Sequence, residues 1–157
     1  MKFKIIGYLL LFLSCAATGF SVSKFYKDKI SCSLAYINFL SGVLEKIDIL
    51  HLPLSKIYES VYDLDLEKIG FTEVLKAQGI YQAYENFENK FLFDHEHLEF
   101  CDKLGTLPYS DTVKLCNYEI SRLKKLLDTQ KDKCERKIKL YPALSILIGV
   151  AVIILII

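Results

Sequence analysis

The densest group of chemically capable side chains in this sequence is Asp94-His95-Glu96-His97, with Glu99 close behind, a run of imidazoles and carboxylates of the type that ligates zinc. Its spacing argues against a shared ligand. On a helix each residue advances by about 100°, so His95 and His97 lie about 200° apart and cannot present one face. A solvated helix start, with carboxylates near its N-terminal end, is the reading this spacing supports. The pairs Asp63/Asp65 and Glu85/Glu88 have the residue types for acid/base work, but nothing beside them supplies a nucleophile or a raised pKa, so they read as surface charge. No Gly-x-x-x-x-Gly-Lys-Ser/Thr loop, Gly-x-Ser-x-Gly elbow or His-Glu-x-x-His helix occurs. The expectation is a protein that is not an enzyme, with no catalytic residue, no cofactor and no metal.

The cysteines add no chemistry of their own. Cys15 falls in an apolar run; Cys32, Cys101, Cys116 and Cys134 contain no Cys-x-x-Cys spacing. In a reducing compartment these four act as small buried hydrophobes, and only outside the cell would they pair as two bridges.

The elements that would position any of these residues are bracketed by two uncharged apolar runs, Ile5 to Val22 and Leu140 to Ile157. Each is roughly 18 residues and as a helix reaches about 27 Å, close to the hydrocarbon thickness of a bilayer. Both are expected to span it. The organisation predicted is a short tail over 1–4, a transmembrane helix over 5–23, one helical domain over 24–139 and a second transmembrane helix over 140–157. Lys131, Lys133, Arg136, Lys137 and Lys139 crowd the domain side of the last run, which by the positive-inside rule keeps the domain in the cytoplasm. An alternative makes the first run a cleaved signal, since Lys2 and Lys4 precede it and Ser14-Cys15-Ala16 resembles a cleavage site; the product would be an exported, disulfide-bearing helical domain anchored by its C-terminal helix. With 20 basic and 19 acidic residues the chain has a net charge of +1, too little field to hold nucleic acid.

Between the runs the periodicity is helical, and strand alternation is absent. Leu34, Ile37, Leu40, Leu44 and Ile47 predict a helix continuing from the first run to about Leu50, stopped by His51-Leu52-Pro53-Leu54 because a proline disfavours the α conformation in the residue before it. Leu54, Ile57, Tyr58 and Val61 form a short amphipathic set. Asp65 is expected to cap the next helix, which carries Leu66, Ile69, Val74 and Leu75 and breaks at Gly70. After Gly79 an aromatic helix with Tyr81, Tyr84, Phe87, Phe91 and Phe93 is predicted to run through Leu98 and Cys101 to Leu104, its aromatics forming core. Gly105 ends it, and Ser110 or Asp111 caps a last helix. There Val113, Cys116, Ile120, Leu123, Leu127, Gln130 and Cys134 alternate steps of three and four, the seam of a helix packed antiparallel to a neighbour. The fold class expected is all-α: an antiparallel helical bundle flanked by N- and C-terminal transmembrane helices.

Five segments, in this order and spacing, resemble the stage III sporulation protein AB family of endospore-forming bacteria: Gly19-Phe20 with Lys24-Phe25-Tyr26, Leu40 to Ile49, Pro53-Leu54, Leu104-Gly105, and the lysine-rich run into Tyr141 and the final apolar stretch. The chain departs from the family pattern at Pro142, where a flexible small residue is common, and at Leu107-Pro108-Tyr109, where a polar stretch is usual. The resemblance implies a helical domain similar to the inner-membrane platform proteins of type II secretion systems and type IV pili. It also implies a scaffold in a secretion-like channel complex between mother cell and forespore, in a cell membrane with the domain facing the mother-cell cytoplasm. The partners implied are a secretion-type ATPase from the same operon (stage III sporulation protein AA), other membrane components of the complex and the lipid bilayer. Because loops carry recognition more often than packed faces, the partner contacts expected are Leu52, Pro53 and Leu54 at the proline corner and Leu104 and Gly105 at the second turn.

Overall fold

A computed structural model of the chain describes the backbone of every residue except Met1, Val61, Gly105 and Ile157, with side chains for residues 6–60, 62–104 and 106–155. Among the described residues there are seven α-helices and no strand: α1 (Lys2–Leu50), α2 (Leu54–Ser60), α3 (Leu64–Lys68), α4 (Phe71–Gln78), α5 (Ile80–Phe87), α6 (His97–Lys103) and α7 (Tyr109–Ile156), with a 3-10 turn at Glu88–Lys90. The all-α expectation holds. The chain divides into two compact units, one of residues 1–28 with 131–157 and one of residues 29–130; α1 and α7 each contribute to both.

In the unit of residues 29–130, α1 gives a wide face to the core through Tyr36, Ile37, Phe39, Leu40, Val43 and Ile47. Leu34, expected on that stripe, is 51 % exposed. It stands about 200° from Tyr36, the residue the other helices surround. Tyr36 is wholly buried, with the rings of Phe39, Phe71, Tyr84, Phe91, Phe93 and His97 within 5.0 to 5.9 Å. Such pairs add about 0.5–1.5 kcal/mol each beyond area burial, so this one ring is a focus of the unit's stability. Along α7, Cys116, Ile120, Leu123 and Leu127 are buried as the seam predicted, and Val113 packs against them.

Three local expectations are corrected. The cap of α3 is Asp63, whose carboxylate accepts from the backbone N–H groups of Asp65 and Leu66; Asp65 lies in the first turn and pairs with Lys68 at 2.8 Å. The aromatic helix is not continuous. It stops at Phe87, and residues 91–96 are non-helical, because the Leu92 N–H is taken by the Ser33 hydroxyl at 2.9 Å and Asp94 by Arg122 at 3.0 Å. The first of these satisfies a backbone N–H that a helix would have paired, and the second ties the segment to α7 through side chains. Finally, α7 starts at Tyr109 rather than after a Ser110 or Asp111 cap: the Pro108 carbonyl accepts from the N–H groups of Asp111 and Thr112. Gly70 and Gly79, with φ of 81° and 89°, break the chain as expected, a conformation that costs glycine little. Val61 of the amphipathic set lies outside the described residues.

The unit of residues 1–28 and 131–157 pairs the ends of α1 and α7 in antiparallel register. Gly19 lets Pro142 and Ser145 approach so closely that a Cβ there would stand 3.1 Å from the Pro142 Cα and would overlap Ser145. At Gly149 a Cβ would stand 3.2 Å from that of Cys15. Small residues at such crossings let two backbones pack without a hydrophobic driving force. Pro142 sits inside α7, where its missing N–H leaves the carbonyl of Ile138 without its usual helical donor. That carbonyl accepts from the Ser23 hydroxyl of α1 at 3.1 Å. The helix therefore continues through its proline because a side chain from its neighbour fills the vacant acceptor. Outward, Leu9, Leu10, Leu13, Phe20, Leu144 and Leu147 are exposed. The most apolar windows of α1 and α7 have mean hydropathies of 1.7 and 2.3, with only 11 % and 6 % of their residues buried. A core helix of a soluble domain would be mostly buried, so these two long apolar helices mark a membrane protein.

Candidate functional site

The proline corner and the second turn meet at one end of the unit of residues 29–130. Helix α1 closes with the His51 N–H bonded to the Ile47 carbonyl at 3.2 Å, and His51 itself takes a φ of 50°, left-handed for a residue with a side chain. The turn is held by Tyr109 at the start of α7. Its hydroxyl donates to the Asp48 carbonyl at 2.9 Å, and its ring meets that of His51 edge-on at 4.8 Å.

The two segments singled out from sequence are thus joined, but their residues play different parts. Leu52 and Pro53 face solvent, Leu54 is half-buried against the core, Leu104 is buried, and Gly105 lies outside the described residues. Leu104 anchors the turn from inside instead of facing out. The outward apolar surface comes from neighbours the sequence did not single out: Ile49 at 66 % exposure, Leu50 at 55 %, and Leu107 and Tyr109. Ile49 and Leu50 close α1 just before the proline corner.

The same unit holds a buried polar network. His97 Nε2 is 2.7 Å from the Tyr36 hydroxyl and Nδ1 is 2.6 Å from Glu119 Oε1. Arg122 donates to both oxygens of Glu119, Nε to Oε2 at 2.9 Å and an Nη to Oε1 at 2.7 Å. Its other Nη reaches both oxygens of Asp94 at 3.0 Å and Glu96 at 3.4 Å. Burial raises the Glu119 carboxyl, but hydrogen bonds from His97 and Arg122 prevail and hold it at about 2. Burial lowers His97, against the pull of Glu119. The consistent assignment is a neutral imidazole that donates from Nδ1 to an ionised Glu119 and accepts the Tyr36 proton at Nε2. Tyr36 is also 3.7 Å from the Cys101 sulfur, a thiol that burial pushes up to about 12.

A hydroxyl, an imidazole and a carboxylate in line have the order of an acyl-transfer triad. Their setting does not. Tyr36 and His97 are wholly buried, burial drives the phenol well above its ordinary range, and the cleft over Arg122, lined by Glu96, Phe100, Lys103, Tyr118 and Glu119, reaches the carboxylate but neither the hydroxyl nor the imidazole. The network ties α1, the 91–96 segment, α6 and α7 together. The histidine run is a solvated start only in part: His97 is buried and Asp94 is half-exposed against Arg122, whereas His95, bonded to Glu88 at 3.1 Å, and Glu96 stay outside. Among the described residues no group of three or more His, Cys, Asp or Glu is placed to hold a metal. The other carboxylates are engaged locally, Asp63 as a cap and Glu88 with His95. Cys101, Cys116 and Cys134 are buried thiols.

The model of one protein family, described as stage III sporulation protein AB, matches residues 4–157. No curated protein and no solved structure gives a significant match.

Proposed function

Given that the chain belongs to the stage III sporulation protein AB family, we propose that it is a non-enzymatic scaffold in a secretion-like channel complex between mother cell and forespore. Its unit of residues 29–130 faces the mother-cell cytoplasm and docks a secretion-type ATPase, stage III sporulation protein AA from the same operon. A role in sporulation follows from the family. The single observation that supports a scaffold is the exposed apolar corner of Ile49, Leu50, Leu52, Leu107 and Tyr109, built on a unit in which Tyr36 and His97 are wholly buried and used for packing. Exposed apolar residues gathered around a loop pair mark protein contact more often than catalysis.

The test is co-purification of the full chain, in detergent, with the ATPase. Binding that Leu50→Asp or Leu107→Asp weakens at least tenfold, with helix content unchanged, supports docking at this corner. No association at high micromolar concentration sinks the ATPase reading and leaves family membership untouched.

A further inference from the structure

The basic residues of α1 and α7 in the unit of residues 1–28 and 131–157 lie at one level, beside the apolar surface. The contacts of Gly19 with Pro142 and of Ser23 with Ile138 fix an antiparallel register in which Lys24 and Lys27 fall level with residues 134–139. Two contacts confirm the level from the side chains: Tyr26 stacks on Tyr141 with ring centroids 6.0 Å apart and planes within 8°, and Lys137 Nζ lies 5.0 Å over the Tyr26 ring. Residues 23–28 and 131–139 hold seven Lys or Arg, all exposed, against Asp28, Asp132 and Glu135. One of the seven is locally neutralised, Lys131 by Glu135 at 4.0 Å. Among the described residues, no carboxylate comes within 4.0 Å of the other six. Lys133, Arg136 and Lys137, at steps of three and four, share a face of α7.

We propose that this belt is a binding site for the phosphate-bearing headgroups of anionic phospholipids. Charge complementarity carries the assignment: a net positive band on two helices, floored by a stacked tyrosine pair, adjoins the surface formed by Phe20, Leu140 and Leu144 that faces acyl chains. Tyrosine rings favour the headgroup level, and clustered Lys and Arg beside a span attract acidic lipid. The site holds the hairpin at a fixed depth and gives it a preference for acidic membrane. It rests on the reading of α1 and α7 as membrane-spanning.

Two measurements keep that reading and the site apart. Membranes containing the full chain are washed with alkaline carbonate, and the detergent-purified full chain is then offered equal amounts of phosphatidylglycerol and phosphatidylcholine with identical acyl chains, with adducts counted by native mass spectrometry. The expected result is a protein that stays in the membrane and retains phosphatidylglycerol preferentially in the presence of excess inorganic phosphate. Lys133→Gln, Arg136→Gln and Lys139→Gln each lower that retention about fivefold, while Lys114→Gln, on an exposed lysine of the other unit, leaves it unchanged. Equal retention of the two lipids, or displacement by free phosphate, from a protein that resists alkali overturns the lipid site alone. Release by alkali overturns the spanning reading and the site with it.

Discussion

Glu119 illustrates how much of the interior a single side chain organises. It accepts from His97 and from two Arg122 nitrogens; its removal would leave the His97 Nδ1–H buried and unpaired and would take two of Arg122's bonds, leaving that cation to Asp94 and Glu96. Glu119→Ala is expected to cost about 3–5 kcal/mol, and Tyr36→Phe, which takes the hydroxyl from His97 Nε2 and from the Cys101 thiol, about 1–3 kcal/mol, both measured by urea unfolding of the detergent-solubilised chain followed by circular dichroism. Equal small losses from the two would mean that the network is not a unit. The same groups set a pH dependence. His97 in the folded state lies below its ordinary value of 6.5, so the folded chain binds this proton less readily than the unfolded one. Its contribution is complete above about pH 6.5 and is lost as pH falls toward the folded value; Glu119, lowered from 4.5 to about 2, adds a second loss between those values. The urea midpoint should hold steady above about pH 7 and fall steadily below about pH 6.5, and a midpoint flat down to about pH 5 would rule the assignment out. The chemistry-bearing run at 94–97 was visible in the sequence, but its fate was not. Whether a histidine turns in depends on a carboxylate 22 residues later. The available clue was Glu119 itself, a charge set between Cys116 and Leu123 on an otherwise apolar seam with Arg122 three positions on.

Among elements, the two long helices were legible because their signals are local and long: apolar length, heptad steps along α7, and a proline to end α1. The segment from 87 to 96 was not, because local propensity favours the helix that Ser33 and Arg122 override. Pro142 is the sharper case. It reads as a kink or a stop, yet α7 passes through it. The reason is a hydroxyl 119 positions earlier, which occupies the one acceptor that the proline vacates. Ser23→Ala is therefore expected to destabilise the hairpin by about 1–3 kcal/mol, and the loss should largely vanish in a Pro142→Ala background, where α7 supplies its own N–H. A double-mutant cycle read by thermal unfolding in detergent decides it; an unchanged cost of Ser23→Ala in that background would show that the serine acts elsewhere.

For the whole molecule, the accessible thiols determine how sidedness can be read. Cys101 and Cys116 are buried and make poor reporters in the folded chain, whereas Tyr118, on the same helix as Cys116, is 67 % exposed. Tyr118→Cys should react with an impermeant maleimide only after cells are opened, if the positive belt keeps residues 29–130 inside; labelling in intact cells would place them outside and revive the exported alternative. The pairing of Ser23 with Ile138 also has a mechanical meaning. Sliding α7 along α1 by one helical turn, about 5.4 Å, would at once break that hydrogen bond, unstack Tyr26 from Tyr141 and drive Ser145 out of the notch at Gly19. The acceptor is fixed at Ile138 because Pro142 is the proline inside α7. A pull along one helix axis therefore meets the other helix at three points, so the hairpin acts as a detented strut against sliding.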